Sequence, residues 1–449
     1  MRVAFWSEEG MSIAWARRLC DEGTSVLVYR AKPSAKRIGD GLVPVATSRE
    51  EWFAWGMADH QTIWFFDCTN NGHIPDRLRA QGRLVVGGGS FMDRLEMDRA
   101  FGQKFAETNG ILVPPTKSFS SVTAAIAYMK STKQQEVGDG GWAWKPDRDL
   151  GCSVTLVDDA EKVISSCERL VIPRFGDSVK CIVQERVPGV ALSTARWWNG
   201  MSWTGPYEGT LEEKKFMDGD MGPATGCSLN TVWFYLEATP KIASALKWDD
   251  LALGMRKNNA PPGLYDINAV VNKQGAWFLE WTPRLGIDSE LTSQLAFTSL
   301  SSVLYQIATG GEIDHLVDVS QGYHGVRVSV PPYPTENDAL KGAKISMGSP
   351  VNGVTSLWHG DFVMAGLMHD KEGLAVGNDF GYVGTAVSRN RQVNAGFEQI
   401  AATIKKIDVA YLQARTDGAK IITADIEKMA SFGWGTTPYL EIEENAYAR

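Results

Sequence analysis

The chain has 449 residues, enough for about three domains, and its 44% hydrophobic and 22% charged content is ordinary for a globular protein. Its formal net charge of -8 disfavours nucleic-acid binding as a main role, because phosphate neutralisation needs clustered lysine and arginine. The opening MRVAFW predicts a first strand rather than a signal peptide, and no apolar run reaches the roughly 18 residues of a membrane span. Six scattered cysteines without a C-x-x-C pair favour free thiols, so we expect a cytoplasmic protein.

The first ninety residues alternate short apolar runs with amphipathic segments. Strands RVAFW, SVLVYR, TIWFFD and RLVVGG, separated by helical segments, predict a doubly wound parallel sheet. Ligands of such sheets bind at the carboxyl ends of the strands. These ends carry residues 7–10 (SEEG) and 67–72 (DCTNNG), and neither has the G-x-G-x-x-G pattern of a nicotinamide cofactor site.

Helices and strands follow in mixed order along the rest of the chain. Helices are predicted over 93–109, 122–130, 160–170 and 391–407. Strands are predicted at WAWKP, SVTLV, KCIVQERV, LYDINAVV, WFLEW, VRVSVPP, FVMAGLM and GTAVS. Four tryptophans crowd into residues 197–233, which favours packing in a core over an aromatic pocket for a flat substrate.

Two segments suit a nucleotide. Arg99, and Lys145 at a strand end before the loop that reaches Gly151, could neutralise a triphosphate while loop N–H groups bind its oxygens. The strand Gln184, Glu185 to Val187 could offer hydrogen-bonding groups to an adenine. A surface lysine and an ordinary strand turn are the alternatives.

Two further segments suit the reacting groups. Gly222, Pro223, Thr225 and Gly226 follow Lys214 and Lys215 and predict a flexible loop that closes over an anionic intermediate.

Alternation places Asp266 and Asn268 on one face of their strand, with Glu280 on the next, which suits Mg²⁺ bridging phosphates. Arg284 could clamp a phosphoryl or carboxylate group. Alternatively, Glu280 and Arg284 form a structural ion pair.

In order along nearly the whole chain, these segments resemble the ATP-grasp ligases, and specifically the glycinamide ribonucleotide synthetase family. The motifs that carry the resemblance are RLEMDRAFGQKF, WAWKP, VQERVPG, GPATG, FLEWTPRLG, VSVPPYP and WHGD. The resemblance implies an N-terminal doubly wound domain (1–90), an ATP-grasp core (91–324, small lobe about 115–186) and a C-terminal α+β domain (325–449). It also implies ATP and Mg²⁺ as cofactors, with Arg284 and Lys215 as catalytic residues.

The chain departs from that family where the acceptor's phosphate is bound. The family's G-x-G-G-R-E-H loop is here WSEEGMS, so Ser7 and Glu8 are expected at the acceptor in place of a basic residue. Ala191 replaces a ribose-binding glutamate, and Thr282 replaces a metal-binding asparagine.

We therefore expect a monomeric or homodimeric ligase that joins glycine or another small amino acid to a non-standard amine through an acyl phosphate. The alternatives are an authentic phosphoribosylamine–glycine ligase of purine biosynthesis and a non-catalytic nucleotide-binding protein.

Overall fold

The computed structural model describes residues 1–35, 37–132, 140–146, 156–286, 288–334, 346–354 and 360–442. Its first sheet has four parallel strands, namely Arg2–Ser7 (β1), Ser25–Arg30 (β2), Ile63–Phe66 (β3) and Leu84–Val86 (β4), in the order β2-β1-β3-β4. Helices Ile13–Asp21 (α1), Arg49–Met57 (α2) and His73–Ala80 (α3) connect these strands. The predicted doubly wound parallel sheet is confirmed.

Aromatic side chains cover both faces of this sheet. Phe65 packs against Trp15 of α1 on one face, with ring centroids 5.7 Å apart. Its neighbour Trp64 packs against Trp52 of α2 on the other face at 4.8 Å. Because successive strand residues point to opposite faces, both faces are buried and polar groups are left at the strand ends.

The helix predicted over 93–109 is two helices, Ser90–Met97 (α4) and Arg99–Thr108 (α5). Asp98 separates them with φ -98° and ψ 86°, and its carboxylate accepts the N–H of Phe101 at 2.9 Å. Asp98 therefore acts as the N-cap of the second helix. The prediction of one continuous helix is wrong, because this carboxylate accepts a backbone N–H at the start of a second helix. Arg99 therefore lies in the first turn of that helix.

A second, antiparallel sheet has its own hydrophobic core. Its strands are Thr116–Phe119 (β5), Gly141–Pro146 (β6), Leu156–Asp159 (β7) and Cys181–Glu185 (β8), in the order β5-β8-β6-β7. Helices Val122–Ser131 (α6) and Ala160–Ser166 (α7) pack on it around the buried Trp142 and Trp144. The helix predicted over 160–170 continues past α7 as a π-helical turn at Cys167–Val171, followed by Ile172–Phe175 (α8).

The third sheet is antiparallel and has eight strands. They are Val190–Trp198 (β9), Trp203–Met217 (β10), Met221–Phe234 (β11), Gly263–Val271 (β12), Ala276–Thr282 (β13), Gly322–Ser329 (β14), Phe362–Met364 (β15) and Tyr382–Arg389 (β18), with Leu367–Asp370 (β16) and Gly373–Val376 (β17) forming a separate pair. The large sheet has the order β13-β12-β9-β10-β11-β14-β18-β15. Strands from both sides of residue 325 share this sheet, and the three-domain division stays a prediction.

Six helices accompany the large sheet, namely Lys241–Ala245 (α9), Trp248–Lys257 (α10), Ser289–Ser293 (α11), Leu300–Thr309 (α12), Val393–Ile404 (α13) and Gly418–Ser431 (α14). One face of the sheet joins α10, α13 and α14 in the largest hydrophobic cluster. Among the described residues, no helix combines the length and the apolar character needed to cross a bilayer.

The opposite face of the large sheet carries a row of polar side chains. Glu280 lies opposite Asn268, Asp266 lies opposite Thr282, and Glu212 lies opposite Asn230 on adjacent strands. The short helix α11 packs over β11 and β14 on this face. Because polar side chains are rarely gathered in a fold interior without a partner, this face is where a ligand is expected.

The crowded tryptophans are core residues, as predicted. Trp198 and Trp233 are fully buried and Trp197 is 5% exposed. Trp203 packs edge-on against Trp198 and against Trp248 of α10, with centroids 5.0 and 4.8 Å apart. These rings stabilise the large sheet rather than lining a pocket.

Candidate active site

Three cations surround one carboxylate where the small sheet meets the large one. Glu280 accepts a hydrogen bond from Arg99 at 3.0 Å and lies 4.0 Å from the ammonium of Lys214. Arg99 also donates to the carbonyl of Pro146 at 3.0 Å, and the adjacent Lys145 donates to the carbonyl of Leu279 at 3.2 Å. We call Arg99, Lys145, Lys214 and Glu280 the cation cluster.

The charge balance of the cation cluster is positive. Burial alone would raise the pKa of Glu280, but Lys214, Lys145 and Arg99 outweigh it and lower that pKa to about 2. Burial lowers the pKa of Lys145 to about 8, with Arg99 and Lys214 adding to the effect and Glu280 opposing it. Three cations facing one ionised carboxylate leave an excess of positive charge that suits a phosphate chain.

The predicted adenine strand lies in the small sheet beside Lys145. Gln184 is 1% exposed and its amide nitrogen donates to the Thr116 hydroxyl at 3.0 Å. The amide oxygen of Gln184 is buried and has no hydrogen-bond partner among the described residues. Glu185 and Val187 are buried beside it. An unpaired buried acceptor suits the amino group of an adenine. Gly151, which was predicted to contact the phosphates, lies outside the described residues.

The predicted metal ligands gather on two neighbouring strands. Asn268 donates to Asp266 at 3.2 Å and to the Thr282 hydroxyl at 3.0 Å, and it faces Glu280 across the strand pair. The second carboxylate oxygen of Asp266 has no partner in the described parts of the chain. Oxygen donors with one ionised carboxylate fit Mg²⁺, which keeps several waters and needs only one or two protein carboxylates.

Four carboxylates on the large sheet and α11 form a second cluster, which we call the acidic cluster; it consists of Glu208, Glu212, Asp266 and Glu290. Glu208 is 4% exposed and accepts from the Thr210 hydroxyl at 3.1 Å. Glu290 is 3% exposed and accepts from the Ser293 hydroxyl at 3.0 Å.

Burial and mutual repulsion perturb the acidic cluster. Burial is the first cause in each case, and it raises the pKa of Glu290 to about 8, with Glu212 adding to the rise. Burial also raises the pKa of Glu208 and Asp266 well above the ordinary range, with Glu290 and Glu212 contributing. Closely spaced buried carboxylates cannot all ionise at once, so burial and repulsion together hold part of this cluster protonated.

Arg284 ties the large sheet to the N-terminal sheet. Its guanidinium donates to Glu96 of α4 at 2.9 and 3.1 Å, and Glu96 also accepts from the Thr69 hydroxyl at 2.8 Å. Thr69 follows β3 at a strand end of the N-terminal sheet. The alternative ion pair between Arg284 and Glu280 is not formed, because Arg284 pairs with Glu96.

Asp67 organises the strand-end loop that carries Ser7 and Glu8. Its carboxylate accepts from the Ser7 hydroxyl at 2.5 Å and from the backbone N–H groups of Glu8 and Ser12 at 3.1 and 3.2 Å. The Glu8 carboxylate accepts from the amide of Asn71 at 3.2 Å.

The neighbouring Glu9 pairs with Lys32 at 2.5 Å. Glu9 is therefore already paired with a cation. The negative charge expected at the acceptor end of this strand-end loop comes from Glu8.

The predicted closing loop is part of a β-hairpin. Residues 222–226 lie in β11, whose partner β10 is joined to it through a turn at Asp218–Asp220. The loop prediction is wrong here because the segment is hydrogen-bonded as the exposed end of a long strand pair. The hydroxyl of Thr225 donates to the Lys214 carbonyl at 2.9 Å, which links this hairpin to the cation cluster.

Lys214, rather than its neighbour Lys215, reaches Glu280. The ammonium of Lys215 points to the Gly222 carbonyl at 3.3 Å, so the catalytic role expected for it stays a prediction. Strand alternation was the missed signal, because it puts Glu208, Glu212 and Lys214 on one face and Lys215 on the other. Glu290 gave no such signal, since it lies on a short helix whose position depends on the tertiary fold.

Comparisons with known proteins agree with this geometry. No family model matches the sequence. Over 246 residues the chain is 27% identical to the trifunctional purine biosynthetic protein adenosine-3 of Gallus gallus, covering 52% of this chain and 23% of that protein. The chain thus matches less than a quarter of the length of that relative.

Solved structures match over nearly the whole chain. The phosphoribosylamine–glycine ligase of Thermotoga maritima has a TM-score of 0.71 at 18% identity, covering 93% of this chain and 100% of that one. The biotin carboxylase of Campylobacter jejuni, solved as a β-γ-ATP complex, has a TM-score of 0.63 at 11% identity and covers 96% of each chain. The predicted ATP-grasp fold and the resemblance to the phosphoribosylamine–glycine ligases are confirmed.

Proposed function

We propose that this protein is an ATP- and Mg²⁺-dependent carbon–nitrogen ligase that activates a small carboxylate as an acyl phosphate and joins it to an amine. The observation that carries the proposal is the cation cluster, in which Arg99 and Lys214 contact Glu280 and Lys145 lies beside them. It lies at the junction of the small sheet and the polar face of the large sheet, between the adenine strand and the acidic cluster.

The residues of the cation cluster suit phosphoryl transfer. This chemistry depends mainly on positioning and on neutralising phosphate charge, which Lys145, Lys214 and Arg99 would supply. Mg²⁺, held by Glu280 with Asp266 or Asn268, would neutralise charge on the transferred phosphoryl group. Gln184 would hold the adenine through its unpaired amide oxygen.

The acid is inferred from the resemblance, and the amine acceptor is inferred from the strand-end loop that carries Glu8. Glycine or another small amino acid is proposed as the acid, in line with the resemblance. The Glu8 carboxylate stands where the resembling family has a basic residue, so a phosphorylated sugar amine would be disfavoured there. An unphosphorylated or cationic amine is the proposed acceptor.

A second candidate is authentic ligation of glycine to phosphoribosylamine. It is favoured by the likeness to the Thermotoga maritima enzyme and to the avian trifunctional protein. Product formation from glycine and phosphoribosylamine by the purified protein would select this candidate.

The proposal is tested by measuring ADP release from ATP and Mg²⁺ across a matrix of amino acids and amines. We expect ADP to form only when both an acid and an amine are present. ATP binding without ADP release for any pair would contradict a ligase and leave a nucleotide-binding protein, the alternative raised by Ala191 and Thr282.

A further inference from the structure

The β10–β11 hairpin, which carries Lys214, is irregular at its far end. Regular pairing of the two strands ends at Glu213, and the register then shifts on both sides of Lys215. Met217 and Met221, which flank the turn, are 51% and 61% exposed. A strand pair with a disrupted ladder and exposed side chains has low local stability, so the backbone around Lys214 needs support from another element.

That support comes from residues 415–417, which directly precede α14 and which we call the clasp. The guanidinium of Arg415 donates to the Lys215 carbonyl at 3.0 Å and pairs with the Asp220 carboxylate at 3.2 Å. Arg415 is only 3% exposed, so these charge-assisted bonds are largely shielded from water. Arg415 therefore holds both the end of β10 and the turn that follows it.

The other two residues of the clasp bind the turn itself. The Asp417 carboxylate accepts the N–H of Gly219 at 2.8 Å and a hydrogen bond from Arg415 at 2.9 Å. The N–H of Thr416 donates to the Asp218 carboxylate at 2.9 Å, and the Thr416 hydroxyl donates to the same carboxylate. All three residues of the clasp therefore contact the turn or the strand end beside it.

Asp417 also shows that this contact replaces a local interaction. It stands at the N-cap of α14, where an aspartate ordinarily accepts a backbone N–H of the first helical turn. Its side chain makes no such bond, because Arg415 and the N–H of Gly219 engage its two oxygens. A carboxylate that could stabilise its own helix is used to hold the hairpin.

The hairpin connects the clasp to the cation cluster. Lys215, whose carbonyl Arg415 holds, directly follows Lys214, whose ammonium lies 4.0 Å from Glu280. On the other strand, the Thr225 hydroxyl donates to the Lys214 carbonyl at 2.9 Å. Because lysine is a point charge on a flexible four-carbon stem, its position at a phosphate depends on how firmly its backbone is held.

We propose that Arg415 is a positioning residue that fixes the hairpin through the clasp and thereby keeps the ammonium of Lys214 in the cation cluster; this inference rests on the proposed function. The hydrogen bonds that Arg415 makes go to the clasp and the hairpin. Its effect on phosphoryl transfer therefore passes through Lys214.

The first test needs no ligand. Hydrogen–deuterium exchange of the full chain, followed by mass spectrometry, should show residues 214–226 exchanging at least about tenfold faster in Arg415→Met than in the wild type. Arg79→Met is the matched control, because Arg79 also pairs with a carboxylate (Asp76, 3.3 Å) and a carbonyl (Gly87, 2.8 Å) but lies in the N-terminal domain. It should leave the exchange of the hairpin unchanged.

The second test is a double-mutant cycle on ADP release. Arg415→Met should lower kcat about tenfold, and Arg415→Lys, which keeps the charge, should recover part of that loss. In the Lys214→Met background, Arg415→Met should lower kcat by less than about twofold further, because the side chain that the clasp positions is already absent. A purely structural role would give the same loss in both backgrounds.

Unchanged exchange of the hairpin in Arg415→Met would overturn the clasp, and equal losses in the two backgrounds would overturn its action through Lys214. If Arg415→Met fails to fold, Asp218→Ala, which removes only the bonds to Thr416, gives both readings. If the wild type releases no ADP with any pair of substrates, the ligase fails. The exchange test still decides the clasp in that case, and the cycle is then measured on ADP affinity, so the two failures are distinguishable.

Discussion

The cation cluster and the acidic cluster both include side chains from the polar face of the large sheet, yet their charges are balanced in opposite ways. In the cation cluster, three cations hold Glu280 ionised and lower its pKa to about 2. In the acidic cluster, burial raises the pKa of Glu290 to about 8, and its neighbour is another acid, Glu212. Glu212 and Lys214 are two residues apart on β10, so one strand contributes to both clusters.

This difference shows that burial does not decide ionisation by itself. Burial disfavours charge in both clusters, and the sign of the neighbouring groups determines whether the carboxylate ionises or holds its proton. The polar face therefore has an excess of positive charge at one end and carboxyls that hold their protons at the other.

Glu280→Gln is the substitution with the largest expected effect, and it tests whether the ionised carboxylate of the cation cluster acts in turnover. We expect ADP release to fall by about 10³-fold, because the variant loses an anionic metal ligand while keeping nearly the same volume. Circular dichroism and thermal unfolding should resemble those of the wild type, and Glu107→Gln should retain full activity. Near-normal turnover in Glu280→Gln would make this carboxylate structural.

The next test distinguishes the two adjacent lysines. Lys214→Met should reduce ADP release by about 10²-fold, since Lys214 is the lysine that reaches Glu280. Lys215→Met, which removes the same charge one residue away, should change it by less than about threefold. Steady-state kinetics on both variants measure the difference. A larger loss in Lys215→Met would restore the role predicted for that residue and remove Lys214 from the site.

For the acidic cluster we expect a pH-dependent effect on the free energy of unfolding. A carboxyl whose folded pKa is raised holds its proton more tightly when folded, so its contribution is fully present below about pH 4.5 and is lost as pH rises through about 8. Glu290→Gln should leave the free energy of unfolding nearly unchanged at pH 5 and increase it by about 1–3 kcal/mol at pH 8. Urea unfolding at the two pH values measures this, and a variant destabilised equally at both would contradict it.

The smallest expected effect concerns Lys145. Because its folded pKa is lowered to about 8, its charge is present below that pH and is lost as the pH rises through it. ADP affinity without Mg²⁺ should fall about three- to tenfold between pH 7 and pH 9.5, as measured by calorimetry. Lys145→Arg should flatten the profile because arginine stays protonated. An equally steep fall in that variant would assign the titration to another group.

Much of the fold could be predicted because it depends on local patterns. Apolar runs separated by helical segments predict the parallel sheet, and alternation in LYDINAVV and WFLEW predicts that Asp266, Asn268 and Glu280 share a face. Asp98 shows the limit of such reasoning. The apolar pattern continues past this residue, but its carboxylate caps a second helix and ends the first. The 222–226 segment was predicted as a loop because glycine and proline suggest a turn, whereas pairing with β10 holds it as a strand.

The sequence by itself determined the class of fold, the order of its segments and the strand that carries the carboxylate of the cation cluster. Only the tertiary structure decided which charges meet, because Arg99, Lys214 and Glu280 come from separate elements that pack together only in the folded chain. The same holds for Glu290, which joins Glu208 and Glu212 because α11 lies across the sheet. Electrostatic interactions depend on distance and burial in space, and neither quantity is encoded in spacing along the chain.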